Sequence, residues 1–291
     1  MPYAPRRAAA IGIVLVVVLA IAGYAIYRAV EHVTAAPPPA PGCQAGTGTR
    51  AVSLDTGQGG IAATIAGVAA RHRLPRRAVT IALATALQES DLENLPYGDR
   101  DSVGVFQQRP SQGWGTATEL QNPVYATTRF FAALVRVPHY TTIPVAQAAQ
   151  AVQRSADGSA YAENEYVATL LSGDLTGQPP HAVTCWYTPA KATPTATRPQ
   201  ADAVAARQAL REAFGSPDRD GVAVRVSNVT LSRVPKGAGW TAASWLVTHA
   251  EEYQISAVRY AGYEWKAADG NMGWQRDANP KGTPRSGVVA G

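Results

Sequence analysis

The chain has 291 residues, 46% hydrophobic and 16% charged, with a net charge of +5. That apolar fraction excludes a globally disordered chain, and the length suggests about two domains. Two cysteines exclude a Cys-rich zinc module or a disulfide-dense mini-protein, and the mild basic excess suits work beside an anionic polymer without naming one.

Ala8–Tyr27 is an uncharged apolar run. About 20 such residues cross a bilayer as a helix, and Arg6 and Arg7 hold a short N-terminus in the cytoplasm. This predicts a cytoplasmic stub at 1–7, a transmembrane anchor at 8–28 and an outward-facing remainder at the cell membrane. A cleaved signal peptide is the rival, although its apolar region usually has only ~7–15 residues. A Pro-rich linker follows at 29–42, and a second stretch rich in Pro, Thr and Ala lies at 188–200. The two bracket a domain at 43–187 and leave a smaller one at 201–291. Cys43 and Cys185 fall at the two ends of the larger domain, where a disulfide, allowed outside the cytosol, would close it.

Ile61, Ile65, Val68 and His72 recur at helical spacing. Pro75 suits the first turn of a second helix that runs through Val79, Leu83 and Leu87 to Glu89. Between Asp91 and Glu119 lies a polar, glycine-containing stretch. Unstructured segments beyond ~12–15 residues in a compact domain are usually functional. Asn122-Pro123 reads as an N-cap with proline at the first helical position, opening a helix with Tyr125, Phe130, Phe131 and Leu134. Pro144 opens another helix, and Ser159 caps a last one to Leu171. In the smaller domain, Asp202–Phe214 and Trp240–Tyr253 read as helices, and Val222–Val226, Ile255–Tyr260 and Tyr263–Lys266 as strands. This is a small α+β layer with Trp240 and Trp245 in its core and no assigned activity.

Glu89 follows a run of residues expected to be buried. A carboxyl at the rim of an apolar helix face is partly desolvated, which favours its protonated form and suits a general acid. Downstream come Asp99 and Asp101, a turn at Gly104, and the amides Gln107 and Gln108. With Trp114, Tyr125 and Tyr161 these make a set that suits a sugar polymer. Glu93 would share the helix face of Glu89 if the helix reached it, and is read as a surface charge. The histidines have no metal-site spacing, no phosphate loop or Gly-x-Ser-x-Gly elbow is present, and basic residues are dispersed. No metal, cofactor or nucleic-acid partner is therefore expected.

Glu89-Ser90, a variable loop and Gly104-Val105-Phe106-Gln107-Gln108 together resemble the Glu-Ser … Gly-Leu-Met-Gln pattern of the soluble lytic transglycosylase and goose-type lysozyme superfamily. Gly98-Asp99-Arg100 is similar to goose-type lysozymes in particular, and the Tyr97–Ser102 loop resembles that of an actinobacterial subgroup of membrane-anchored cell-wall hydrolases. The resemblance covers roughly residues 57–171. It implies a mainly α, lysozyme-like domain behind the transmembrane helix, with the small α+β domain as companion. It also implies peptidoglycan as substrate, cleavage of the β-1,4 bond between N-acetylmuramic acid and N-acetylglucosamine, and Glu89 as the acid that protonates the glycosidic oxygen. In an inverting hydrolase a second carboxylate ~6.5–9.5 Å away activates water; Asp99 is the first choice and Asp101 the second. In a lytic transglycosylase no second carboxylate is required, and the muramyl 6-hydroxyl closes an anhydro ring. Arg109 stands where goose-type enzymes tend to carry a further Asp, so hydrolysis is only narrowly preferred. The alternative from another class is a catalytically silent membrane-anchored scaffold that binds glycan or a cell-wall or secretion protein. A tethered nucleic-acid binder is a third reading and predicts strongly salt-dependent affinity.

Overall fold

A computed structural model describes residues 20–24, 40–154, 159–188, 202–215, 221–226, 229–278 and 287–291. The chain divides into Met1–Ala40 and Pro41–Gly291. Of the first unit, residues 20–24 are helical and exposed. The expected anchor at 8–28 and the linkers at 29–42 and 188–200 fall mostly outside the described residues.

In the second unit, strand β1 (Gly42–Ala45) pairs antiparallel with β2 (Val52–Leu54) and with β3 (Val183–Trp186). The β1–β3 register sets Cys43 opposite Cys185, and the two form a disulfide. Helix α1 (Thr56–Arg71) starts at a capping box: Gln58 N donates to Asp55 Oδ1, and Asp55 N donates to Gln58 Oε1. Small and apolar around most of its circumference, α1 sits centrally and packs on helices from both ends of the unit. Helix α2 (Arg76–Ser90) follows Pro75, which serves as its N-cap. After a long connection come α3 (Ala117–Leu120), α4 (Pro123–Leu134), α5 (Val145–Gln153), α6 (Ala160–Glu163) and α7 (Glu165–Leu175). Asn122 caps α4 as expected, its Oδ1 accepting from the backbone N–H groups of Val124 and Tyr125. The single helix expected from Ser159 to Leu171 is instead two, broken at Asn164.

Beyond the second linker, α8 (Ala203–Phe214) and α9 (Gly239–Thr248) pack on α1. A six-stranded sheet completes the unit: β4 (Val222–Val226), β5 (Val229–Val234), β6 (Ala257–Tyr260), β7 (Tyr263–Lys266), β8 (Gln275–Arg276) and β9 (Gly287–Ala290), in the order β5-β4-β9-β6-β7-β8. Strand β9 runs parallel to β4 and antiparallel to β6. Trp265 Nε1 donates to the Cys185 carbonyl (3.1 Å) and Trp274 Nε1 to that of Val183 (2.7 Å), so the larger sheet is tied to β3. Trp245 and Trp265 are buried, and Trp240 sits in an aromatic cluster with Tyr260, Tyr263 and Trp274.

The expectation of a mainly α, lysozyme-like domain behind a transmembrane helix with a small companion is overturned. The described residues form a mixed α/β fold with two sheets, and no helix among them is long and apolar enough to cross a membrane. Strands β1, β2 and β3, of three or four residues each, leave too short a record for period-2 alternation to register. β1 and β3, moreover, find each other across more than a hundred intervening residues.

Candidate active site

Glu89 lies in the last turn of α2, half-buried. The helix stops one residue later because Asp91 and Leu92 both take left-handed backbone angles (φ 53° and 61°). Glu93 is thereby off the helix and exposed, and does not share a face with Glu89. Tyr161, buried on α6, donates its phenolic hydrogen to Glu89 Oε1 at 2.6 Å. That bond fixes the carboxyl through one oxygen and leaves Oε2 as the atom able to carry a transferable proton.

Ser90 reaches in the other direction. Its hydroxyl lies 2.8 Å from the Val105 carbonyl and 3.1 Å from that of Ala86. Val105 belongs to a tight hairpin in which Val103 and Gln108 exchange backbone hydrogen bonds. Gly104 makes the hairpin fit: its φ is 78°, and a Cβ there would lie 2.5 Å from the Leu120 carbonyl oxygen. Phe106 holds the tip in the core by stacking on Phe130, with centroids 4.5 Å apart. The two motif halves, Glu89-Ser90 and Gly104–Gln108, are thus joined by one buried hydrogen bond. No amphipathic pattern forecast the Ser90 contact; only the pairing of the motifs pointed toward it.

The other expected residues divide by what they touch. Gln107 uses both ends of its amide on its own loop, donating to the carbonyls of Tyr97 and Gly104 and accepting from Ser102 Oγ. Gln108 is buried; its Nε2 donates to the Ala126 carbonyl (3.3 Å) and its Oε1 has no partner among the described residues. Asp101 accepts from Arg109 Nε (2.8 Å) and from Ser111 N and Oγ. The Arg109 contact, followed by those of Ser111, holds its carboxyl far below the usual carboxylate range. Asp99 keeps its carboxylate in solvent, 3.8 Å from Arg100 Nε, and uses its backbone carbonyl to accept from Ser102. Tyr125 is half-buried on α4, its hydroxyl 3.5 Å from the Trp114 carbonyl.

Beside the hairpin opens a groove of about 640 Å³. Gln107, Gln108 and Trp114 line it from the loop side, and Gln153 and Arg154 from the end of α5. Gln153 Nε2 donates to the Phe106 carbonyl (2.8 Å), joining the far wall to the hairpin. Arg129 fixes the rim by donating to the carbonyls of Gly113 and Trp114. Glu89 itself does not line this groove; it connects to it through Ser90 and the hairpin. Among the described residues no cluster of three or more His, Cys, Asp or Glu is placed to hold a metal ion. No protein-family model matches the chain, and a search of curated proteins finds no match either.

Proposed function

We propose that the chain cleaves peptidoglycan glycan strands at the β-1,4 bond between N-acetylmuramic acid and N-acetylglucosamine, with Glu89 as general acid. The reading draws on the motif resemblance above. The observation that carries it is the coupling of Glu89-Ser90 to the Gly104–Gln108 hairpin beside an open groove. Tyr161 holds one carboxyl oxygen, so the other can deliver a proton along one direction to the leaving glycosidic oxygen. Trp114 offers the groove an aromatic surface useful against a sugar chain. The disulfide fits an oxidising compartment outside the cytosol, where that polymer lies.

Two endings follow the proton transfer. A hydrolytic ending needs a free carboxylate to activate water, and Asp99 supports it better than Asp101, whose oxygens are engaged by Arg109 and Ser111. A transglycosylase ending, in which Glu89 returns as base toward the muramyl 6-hydroxyl, needs no second carboxylate. Incubating the protein with purified peptidoglycan separates the readings. Glu89→Gln should abolish fragment release; equal release by both proteins overturns the enzymatic reading and leaves the binding scaffold. In mass spectra of the fragments, anhydro ends denote the transglycosylase and reducing ends the hydrolase.

A further inference from the structure

Among the described residues, the charged side chains lining the groove have one sign: Arg109, Arg129, Arg136 and Arg154, with no Asp or Glu. Two of these guanidinium groups are already engaged: Arg109 on Asp101, and Arg129 on the carbonyls of Gly113 and Trp114. The other two are not. Arg136 lies just beyond α4, and Arg154 is the left-handed C-cap of α5 (φ 54°). Both are exposed, and neither side chain makes a hydrogen bond or ion pair with another described residue. A guanidinium stays charged at any physiological pH and presents a fork of N–H donors that matches a carboxylate. Two such forks without counter-ions among the described residues, in a groove that also holds Trp114 and several amides, suit a polymer with sugar faces, hydroxyls and carboxylates.

We infer that Arg136 and Arg154 bind carboxylate groups carried by the glycan strand, so that the groove selects an anionic β-1,4 glycan over a neutral one. The inference rests on the glycan reading above and adds to it the charge of the substrate. The carboxylate has two sources: the lactyl group of muramic acid, or the peptide attached to it. Chitohexaose carries neither.

The test measures binding by calorimetry to the full chain carrying Glu89→Gln, so that no ligand is consumed. The ligands are chitohexaose, a peptide-free muramyl glycan of equal length, and its peptide-bearing form. The parent protein should prefer an anionic glycan, and Arg136→Gln with Arg154→Gln should weaken that binding on the order of tenfold. Affinity for chitohexaose should stay unchanged. Lys at both positions should restore part of the loss, because the charge returns without the fork. A loss already seen with the peptide-free glycan assigns the lactyl group; a loss confined to the peptide-bearing form assigns the peptide. An unchanged affinity for anionic glycans, an equal loss for chitohexaose, or no binding of any of the three overturns the inference. Failure of the cleavage reading shows separately: Glu89→Gln would then release as much fragment as wild type while the charge preference stayed in place.

Discussion

Replacing both Cys43 and Cys185 by Ala opens a covalent loop with a sequence separation of 142. In the chain-entropy treatment, closing a loop of that length removes about 5 kcal/mol of freedom from the unfolded ensemble. On the folded side little else changes. Both sulfurs are buried, and the β1–β3 ladder around them persists from Gly42–Trp186 to Ala45–Val183. Trp265 and Trp274 still anchor β3 through its carbonyls. The void left by each sulfur adds to the loss, whereas residual compactness of the unfolded chain reduces it. The expected net destabilisation is therefore about 3–5 kcal/mol. With a guanidinium slope of about 4 kcal/mol/M, the unfolding midpoint should fall by roughly 1 M. Guanidinium titrations followed by tryptophan fluorescence, on wild type and the double variant, measure this directly. A loss below about 1 kcal/mol at unchanged slope would refute the reasoning, because the two ends would then be held together without the bond. Two free thiols in denatured, unreduced wild type would remove its premise.

Three further predictions address the site and its support. Tyr161→Phe deletes the donor to Glu89 Oε1 and should lower the rate of strand release by roughly 10–100-fold, the worth of a charge-assisted hydrogen bond, with KM little changed; a fall in KM-linked binding alone would place Tyr161 outside the chemistry. Asp174, buried on α7 beneath Gly46, has its carboxyl pushed up to about 6 by burial, with Arg50 opposing. Because the folded value exceeds the unfolded one of 3.8, the fold should lose stability as pH rises from about 4 through 6, by at most ~3 kcal/mol. Thermal melts at pH 4 and 7 should show that slope in wild type and its absence in Asp174→Asn; identical slopes exclude it. Gly104→Ala sets a Cβ against the Leu120 carbonyl at a positive φ, and should cost about 2–4 kcal/mol in chemical denaturation while reducing activity in step; a neutral outcome would mean that the hairpin can shift freely.

Local signals carried furthest where a residue acts on its own neighbours. Asn122-Pro123 announced the start of α4 because an N-cap and a first-turn proline work within four residues. The α8 and β4 segments were equally readable, and the cysteine positions indicated the bridge. What stayed hidden depends on distant partners. Gly287–Ala290 shows no alternation to mark it, yet it fills the middle of a sheet between strands far apart in sequence. Asp101 looked like a catalytic candidate because its type and place fitted; its engagement by Arg109 and Ser111 arises only when the loop folds back. Arg136 and Arg154 follow no motif at all, and it is the convergence of the ends of α4 and α5 that brings them to one groove.

The place of β9 has a consequence for the order in which the protein can be assembled. Among the described strands it alone joins β5-β4 to β6-β7-β8, so before it docks these are two separate ribbons. During synthesis, residue 287 must emerge before the larger sheet can close. The sheet shares contacts with α9, which in turn covers α1. Helix α1 is made early and would wait, part of its apolar surface uncovered, for α9, made more than a hundred residues later. A chain built this way gains from a holding factor while the intervening segments are made.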